Sequence, residues 1–264
     1  MIVRRLKADE LHLAVPILTP EGWTLEKPDL ERLHALGGAV GGFDGDKMVG
    51  FLTFLDTPPL RWIGNVAVAA SARGKGVGAR IVAEAMRDAP RTALYSVEKA
   101  VTLYARAGLV PRGMVHSLRA LEPRGKDGRA DALAKGDIDG IVALDRAATG
   151  MDRSRLLRAL SDAFPTRVVQ REGRIVGFGI AKAYPDVTEI GPVVAESPAD
   201  AWAIVDELIA STPPPYDVAV HGLPARGWGE RSFSPLFRAI PMFRGAPPAW
   251  DLNRYLAASG LEKG

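Results

Sequence analysis

The sequence contains no cysteine. Disulfide bonds, metal sites built on thiolates and a cysteine nucleophile are therefore all excluded. Long apolar runs are also missing, because no stretch approaches the roughly 18 residues that a membrane-spanning helix needs. The N-terminus, Met1 to Arg5, leads into charged residues without the apolar core of a signal peptide. We expect a cytoplasmic protein with no membrane partner.

A strong excess of one charge is absent as well. The chain has 34 Lys and Arg residues against 31 Asp and Glu residues, which leaves a formal net charge of +3. Because this excess is small and the basic residues are scattered, we expect no nucleic-acid partner, although a local basic pocket for an anion remains compatible. The four histidines show no metal-ligand spacing, so we expect no metal site.

A polar stretch, Glu122 to Arg129, divides the chain into two halves. It contains proline and glycine and lacks apolar periodicity, which is typical of a linker. We therefore predict two domains, residues 1–123 and residues 130–264.

The two halves resemble each other at a nearly constant offset of 127 positions. Lys47–Phe51 aligns with Arg174–Phe178, and Gly64–Ala67 aligns with Gly191–Val194. Independent chance matches would scatter over many offsets. The shared offset therefore predicts a tandem duplication of one fold.

Hydrophobic periodicity predicts alternating strands and helices in the first half. A hairpin is expected around Asp44–Asp46, and the mostly apolar Trp62–Val68 suits a central strand. Val77–Ala89 has apolar residues at helical spacing. Thr92–Val97 and Met114–Leu121 are the next strands, and the second closes the predicted domain. In the second half we predict helices and strands at 138–147, 153–163, 167–170, 174–183, 188–194, 199–210, 217–220 and 241–244.

One segment carries a recognisable chemical pattern. The strand that contains Val66–Val68 runs into a glycine-rich turn, Arg73–Gly78, which opens directly into a helix. Glycine lets the backbone adopt positive φ and approach a ligand closely. The first N–H groups of a helix have no intrahelical partner, and together with the helix dipole they bind anions such as pyrophosphate. Lys75 and Arg80 add positive charge nearby.

Two other phosphate motifs fit this turn less well. A dinucleotide fingerprint G-x-G-x-x-G that starts at Gly76 would place its third glycine on Ile81. One that starts at Gly74 would place it on Ala79, a spelling that is allowed, but a β-hairpin precedes the turn where a βαβ unit should begin. A P-loop needs Ser or Thr after Gly-Lys, and here Gly76 follows Lys75.

The pattern Arg73-x-x-Gly76-x-Gly78, placed between a strand and an amphipathic helix, resembles the acyl-CoA signature of the GCN5-related N-acetyltransferase (GNAT) superfamily. Downstream, Ala100–Leu109 resembles the second motif of that superfamily, A-x-x-x-Y-x-x-x-G-F, with Tyr104 at its tyrosine. Leu109 replaces the common Phe of that motif, and Val97 stands where an Asn is often found.

The second half resembles the C-terminal domain of tandem acetyltransferases of this superfamily, at Ala143–Leu157 and Gly191–Ala195. The resemblance implies an α/β (α+β) fold in which each half is a mixed, mostly antiparallel twisted sheet flanked by helices.

This resemblance implies an enzyme that transfers an acetyl group from acetyl-CoA to an amine of a small molecule or peptide by direct attack. Tyr104 would donate a proton to the departing thiolate. The backbone of the central strand would bind the pantetheine arm and the thioester oxygen. The cofactor-binding residues that it implies are Val66, Ala67, Val68, Arg73, Gly74, Lys75, Gly76, Val77, Gly78 and Tyr104.

The general base stays open. Many relatives use a carboxylate on the central strand, but Gly64, Asn65 and Val66 offer none. Asn65 is instead a candidate for orienting a water or the substrate. The candidate bases elsewhere are Glu21, Glu26, Asp56 and His34.

We expect the second half to bind no CoA in the usual way. The repeat offset places Asp200, Ala203 and Val205 opposite the arginine and two glycines of the signature. An aspartate would repel a pyrophosphate, and the lost glycines would hinder backbone approach. This half is then expected to shape the acceptor site. The residues that could face an amine are Asp145, Asp152 and Tyr184.

Two other functions remain in competition with the enzyme. One is a non-catalytic acyl-CoA sensor, which the missing strand carboxylate favours. The other is a protein-interaction module, which would have no affinity for CoA.

Overall fold

The computed structural model describes residues 1–21, 27–126, 128–134 and 136–263. No helix within these ranges is both long and apolar enough to span a bilayer. The described chain forms two compact units. The first unit comprises Met1–Arg112, Ile240–Pro247 and Lys263, and the second comprises Gly113–Ala239 and Pro248–Glu262.

The first unit is a mixed sheet flanked by helices. Its strands are β1 (Ile2–Arg5), β2 (Gly37–Asp44), β3 (Lys47–Thr57), β4 (Leu60–Val68), β5 (Thr92–Ser96) and β6 (Val110–Pro111). Its helices are α1 (Val15–Leu18), α2 (Lys27–Leu36), α3 (Val77–Met86) and α4 (Val101–Arg106), with 3-10 segments at Ala8–Ala14, Thr19–Glu21, Ala70–Ala72 and Glu98–Ala100. Strands β1 to β4 pair antiparallel in chain order, and β4 and β5 pair in parallel.

The second unit has the same kind of architecture. Its strands are β7 (Val115–Ala120), β8 (Asp131–Ala132), β9 (Thr166–Arg171), β10 (Arg174–Ala183), β11 (Thr188–Ala195), β12 (Tyr216–His221), β13 (Ser234–Arg244) and β14 (Tyr255–Ala257). Its helices are α5 (Ile138–Thr149), α6 (Ser154–Ala163), α7 (Pro198–Ser211) and α8 (Arg226–Glu230). The β11–β12 pair is parallel and the other pairs are antiparallel. The predicted fold class is confirmed in both units.

The division between the units differs from the predicted domain boundary. The strand that we expected to close the first domain is β7, and it pairs antiparallel with β12 in the second unit. The first unit instead receives residues 240–244 of β13, which pair antiparallel with β5. Residues 234–239 of β13 pair with β7. An apolar pattern shows that a strand exists but not which sheet it joins, so the linker composition after β7 indicates a boundary on the other side of this strand from the division into units.

Helix α3 covers one face of the first sheet. Its apolar side chains recur every three to four positions, so they form one stripe that is buried against the strands. The cluster that results includes Val40, Leu52, Phe54, Ile63, Ile81, Val82, Ala85, Met86, Leu94, Tyr104 and Leu109.

A glycine under each central helix supports the duplication. A Cβ on Gly50 of β3 would lie 2.6 Å from Cγ1 of Val77, the first residue of α3. A Cβ on Gly177 of β10 would lie 2.9 Å from Cδ1 of Ile204 in α7. Both members of the second pair follow the first at the repeat offset of 127. In both units the missing side chain therefore lets the equivalent helix lie flat on the equivalent strand.

Candidate functional site

The glycine turn lies between β4 and α3, as the sequence predicts. Gly74 and Gly76 have φ of +76° and +75°, and Gly76 is the residue that caps the N-terminus of α3. Residues with a side chain rarely adopt this conformation. A Cβ on either glycine would meet no protein atom within 4 Å. The turn therefore favours glycine at both positions and is open on its outer side.

The turn presents a row of unused backbone donors. Within the described residues, the N–H groups of residues 74–79 have no hydrogen-bond acceptor, and the first bond of α3 runs from the Arg80 N–H to the Gly76 carbonyl at 3.2 Å. These donors lie at the positive end of the helix dipole. Such an array is an anion site that suits a phosphate group.

Arg73 is folded back onto the end of β4. Its Nε donates to the Val68 carbonyl at 3.1 Å, and its guanidinium forms an ion pair with Glu21. The Arg73 side chain is 56% exposed, so it can turn towards a solvent-borne anion. The exposed Lys75 and Arg80 lie on the same segment. Glu21 is the candidate base that the structure brings next to the turn.

Val77 and Gly78 face the protein interior. Val77 is buried against Gly50, as described above. A Cβ on Gly78 would lie 3.3 Å from Cδ2 of Leu103 in α4 and 3.6 Å from Cγ2 of Val68. The small residue at this position therefore lets α3 approach α4. These two residues offer the site their backbone N–H groups.

One edge of β4 is open beyond its first residues. Strands β4 and β5 pair at Arg61 with Thr92 and at Trp62 with Ala93, and the described residues show no β4–β5 pairing further along. On the other side, β4 stays paired with β3 as far as Val68. The backbone of Val66–Val68 therefore has one edge without a strand partner, and the group bonded to the Val68 carbonyl there is Nε of Arg73.

Asn65 lies at a bulge in β4. Thr53 pairs with Gly64 and Phe51 pairs with Ala67, so β4 carries one extra residue opposite Leu52. Asn65 has a φ of +54°, and its Nδ2 donates to Oγ1 of Thr53 at 2.9 Å. Its sequence neighbours on β4 are apolar or glycine, so Asn65 is the polar side chain beside the open edge.

Tyr104 is almost completely buried in α4, at 6% exposure. Its ring lies in the hydrophobic cluster under α3, and its hydroxyl makes no hydrogen bond to another described residue. Burial raises the pKa of the Tyr104 phenol to about 12. The hydroxyl is therefore protonated near neutral pH, as a proton donor must be.

Two candidate bases are engaged elsewhere. Both carboxylate oxygens of Asp56 accept from Arg61, at 2.7 and 3.1 Å, at the opposite end of β4 from the turn. Nε2 of His34 lies 3.0 Å from the Leu6 carbonyl. Glu26 lies outside the described residues.

Asp145 in the second unit is fully buried. Its two oxygens accept from Nε and Nη2 of Arg153, at 3.0 and 2.5 Å. Arg153 also donates to the Tyr255 hydroxyl at 3.0 Å and to Ser259 Oγ at 2.8 Å. This bidentate pair occupies the carboxylate, so an amine would have to compete with Arg153 for it.

Asp152 and Tyr184 have different surroundings. One oxygen of Asp152 accepts the Ser154 N–H at 3.1 Å at the start of α6, and the other accepts from Arg146 at 2.5 Å. The bonds from Ser154, and then the charge of Arg146, lower the pKa of the Asp152 carboxyl. The Tyr184 ring packs edge-on against Phe164, with centroids 5.8 Å apart. Asp152 lies in the α5–α6 connection and Asp145 is bonded to Arg153 of the same connection, whereas Tyr184 lies beyond β10.

By the repeat offset, helix α7 of the second unit covers the positions that form the glycine turn in the first unit. The residues opposite the signature, Asp200, Ala203 and Val205, all lie inside this helix. Ser197 Oγ accepts the Asp200 N–H at 3.2 Å and donates to the Asp200 carboxylate at 2.6 Å. The helix start is therefore capped by its own side chains.

The strand edge that is open in the first unit is covered in the second. Strands β11 and β12 pair as far as Ile190 with Val218. Beyond that point β14 pairs with Val193 and Val194, and the Ala195 N–H donates to the Arg254 carbonyl at 2.9 Å. Sequence reasoning missed this strand, because three residues carry no usable periodicity.

The described residues contain no group of three or more His, Asp or Glu side chains that could hold a metal ion.

Two family profiles match the chain. The profile described as "Acetyltransferase (GNAT) family" matches residues 8–109, which include the glycine turn and Tyr104, and the profile described as "Acetyltransferase (GNAT) domain" matches residues 141–247. The chain belongs to the GNAT family. Two GNAT domains in one chain confirm the predicted tandem organisation, and membership of this acetyltransferase family supports acyl transfer as the reaction class.

Similar proteins carry acyltransferase names. This GNAT chain is 28% identical over 167 residues to the uncharacterized N-acetyltransferase YitH of Bacillus subtilis strain 168, which covers 60% of this chain and 59% of YitH. It is 24% identical over 268 residues to holothin acyltransferase of Pseudoalteromonas sp. strain SANK 73390, which covers 92% of this chain and 88% of that protein.

The fold also matches a solved structure. The crystal structure of a proposed acetyltransferase from Pyrococcus horikoshii matches 100% of this GNAT chain and 95% of that one, with a TM-score of 0.83 and 19% identity. At this identity the likeness supports the fold and leaves substrates open.

Proposed function

We propose that this protein is an acetyl-CoA-dependent N-acetyltransferase whose cofactor site lies in the first unit. The observation that carries the proposal is the row of N–H groups at residues 74–79, which have no acceptor among the described residues and follow directly from an open strand edge. The acceptor is an amine of a small molecule or peptide.

The residues present fit acetyl-CoA in two places that are continuous in the chain. The pyrophosphate would lie on the N–H groups of residues 74–79, where the two open glycines leave room for it, with Arg73 and Lys75 adding charge. The pantetheine arm would bond the free edge of Val66–Val68. Since the pyrophosphate end follows Val68, the arm runs back along β4 and its acyl end lies nearest Asn65.

Acetyl-CoA supplies an activated acyl group as a thioester. The backbone beside Val66 is placed to bond the thioester oxygen as negative charge develops on it. Asn65 holds the acceptor, and the Tyr104 hydroxyl bonds the departing sulfur. In this proposal the amine attacks the thioester directly, and the absence of cysteine is consistent with that route.

The second unit takes no acyl-CoA of its own in this proposal. Its helix start is capped by Ser197, and β14 lies on the strand edge that the arm would need. Calorimetry should therefore give one acetyl-CoA site per chain, and two comparable sites would contradict this assignment.

The central test is the substitution Gly76→Val. A branched side chain at Gly76 would stand where the pyrophosphate approaches, so the thermal shift with acetyl-CoA should vanish. The matched control is Gly45→Val, because Gly45 also has positive φ and open space but lies in the β2–β3 turn. An acetyl-CoA shift that survives in Gly76→Val would remove the proposed site.

The second candidate function is a non-catalytic acyl-CoA sensor. The absence of a carboxylate from β4 favours it. A panel of amines with detection of released thiol separates the two functions, because a sensor binds acetyl-CoA without turnover.

A further inference from the structure

The backbone of Asn65 holds a conformation that residues with a side chain rarely adopt. Its φ of +54° lies in the left-handed region, where Asn is enriched but other non-glycine residues are uncommon. Such a conformation persists where the surrounding structure fixes it, and it is concentrated at functional sites. Here the bulge in β4 imposes it, at the end of the strand edge where the acyl group should lie.

Thr53 fixes the direction of the Asn65 amide. Thr53 is 1% exposed and sits on β3 opposite Gly64, so its hydroxyl lies beside the bulge. The Asn65 Nδ2 donates to this hydroxyl at 2.9 Å. The carbonyl oxygen of Asn65 is then the end of the amide that remains to accept a hydrogen bond from a ligand.

The two side chains share the face of the sheet opposite α3. Side chains alternate along a strand, and the flanking Leu52 and Phe54 belong to the cluster under α3. Phe51, on the same face as Thr53, packs instead with Leu18 of α1 and Leu30 of α2. An acceptor held by Asn65 therefore reaches the acyl group from the α1–α2 face.

An amide cannot take a proton from an ammonium ion. Among the described candidate bases, Asp56 is bonded to Arg61, His34 to the Leu6 carbonyl and Glu21 to Arg73, and β4 has no carboxylate. An acceptor held by Asn65 must therefore already be neutral. A peptide α-amino group has a pKa of about 7.7–8.0 and a lysine side chain about 10.4, so near neutral pH the first is neutral far more often.

We infer that Thr53 is a positioning residue that aims the Asn65 carbonyl oxygen at the acceptor, and that the acceptor class is a weakly basic amine. The inference rests on the proposed acetyl transfer. Asn65 accepts one N–H of the neutral amine, and the nitrogen lone pair forms the C–N bond. The C–S bond breaks, its electron pair stays on sulfur, and the surplus proton of the nitrogen ends on that sulfur.

The first test is the pair Thr53→Val and Thr53→Ser. Valine keeps the shape and removes the hydroxyl, whereas serine keeps the hydroxyl. Thr53→Val should lower kcat/KM for the acceptor about tenfold or more, within the range of an orienting contact, while calorimetry gives an acetyl-CoA Kd within about twofold of wild type. Thr53→Ser should recover most of the loss. An unchanged kcat/KM in Thr53→Val overturns the role of Thr53.

An activity-independent readout is the side-chain amide of Asn65 in NMR. We expect its protons to be protected from solvent exchange in wild type and Thr53→Ser, and exposed in Thr53→Val. Equal exchange in all three proteins would overturn the positioning claim. Asn65→Gly completes the series, because glycine removes the amide and keeps the positive φ without strain. It should lose as much activity as Thr53→Val or more.

The substrate class is tested by pH profiles of two peptides. One has a free α-amino group and no lysine, and the other is N-terminally acetylated and has one lysine. With wild type, kcat/KM should rise with pH, and its midpoint should move with the pKa of each amine. A midpoint at the same pH for both peptides would show an enzyme base and overturn the inference. A profile that loses its midpoint in Glu26→Gln would name that base.

Failure of the proposed function gives a different result. Wild-type protein that binds no acetyl-CoA in calorimetry, or that releases no thiol with any amine, overturns both claims. Binding and turnover with an unaffected Thr53→Val overturn the further inference alone.

Discussion

The two units begin their central helices in different ways. In the first, a turn with two glycines at positive φ precedes α3 and leaves the N–H groups of residues 74–79 without acceptors among the described residues. In the second, α7 begins at Pro198 and includes the positions that align with this turn, and Ser197 caps it. The first helix start leaves its backbone donors open, whereas the second is capped by Ser197 and Asp200.

The strand edges differ in the same sense. Beyond Trp62, β4 has no β5 pairing among the described residues, whereas β11 is covered by β14 after it leaves β12. The packing of helix on strand is nevertheless the same in both, with Val77 over Gly50 and Ile204 over Gly177. Both units keep this packing although their helix starts and strand edges differ, so a duplicated domain can keep its core while these features change.

The largest expected effect comes from removing one arginine ion pair in each unit and comparing the losses of stability. Arg153 pairs with the fully buried Asp145, so Arg153→Met would leave a buried carboxylate without its partner. Urea unfolding should show a loss of about 3–5 kcal/mol. The control, Arg73→Met, removes a largely exposed pair with Glu21 and should cost at most about 1 kcal/mol. Equal losses would contradict the contrast between a buried ion pair in the second unit and an exposed one in the first.

A second substitution makes the first helix start resemble the second. Arg73→Asp places at the turn the residue type that the repeat has at Asp200. A charge-assisted hydrogen bond is worth about 1.5–3 kcal/mol, so the acetyl-CoA Kd should weaken about 10- to 100-fold in calorimetry. Arg87→Asp, at the other end of α3, is the control and should change the Kd less than about threefold. Equal effects of the two variants would show a general loss of positive charge.

The stability of the second unit should also be sensitive to acid. Burial, and then the charge of Arg153, lower the pKa of His221 to about 3, and its ring packs at a tilt against Trp250 with centroids 4.2 Å apart. An unfolded histidine has a pKa of about 6.5, so below that pH the unfolded state binds a proton that the folded state does not. The contribution of neutral His221 to stability is therefore present in full above pH 6.5, and it is lost as the pH drops towards 3.

The measurement is the free energy of unfolding between pH 7 and 4 for wild type and His221→Phe. The contribution of His221 is at most about 1.4 kcal/mol per pH unit. The variant should therefore lose stability less steeply than wild type as the pH falls. Parallel curves would mean that His221 is protonated in the folded protein.

Local features of this fold could be predicted from the sequence because they depend on neighbouring residues. The positive φ of Gly76 needs glycine, and the apolar spacing of α3 buries one face, so both are readable in a short window. The domain boundary depended on which sheet β7 and β13 join, and that choice is made by distant pairing.

The features of the candidate site also differ in how far the sequence predicts them. The glycine turn is readable from its short sequence, whereas the contact of Thr53 with Asn65 depends on the bulge register between β3 and β4. The ion pair of Arg73 with Glu21 joins segments that are far apart in the chain. A single sequence gives no signal for contacts of this kind.

The last expected effect concerns Tyr104, because the aligned position in the second unit holds no tyrosine. The repeat offset places Arg231 opposite it, and Arg231 forms a buried pair with Asp206. Burial raises the pKa of Tyr104 to about 12, against about 8.5 for a thiol. Full proton transfer to a thiolate would then be uphill by roughly 5 kcal/mol, because each pKa unit is worth about 1.36 kcal/mol. The phenol should therefore act mainly through a hydrogen bond to the developing charge, worth about 1.5–3 kcal/mol. Tyr104→Phe keeps the packed ring and should lower kcat about 10- to 100-fold with the acetyl-CoA Kd nearly unchanged. Tyr95→Phe, which alters a ring packed on Trp62, is the matched control and should leave kcat near the wild-type value. If kcat in Tyr104→Phe is untouched with a good acceptor, the ring serves packing alone.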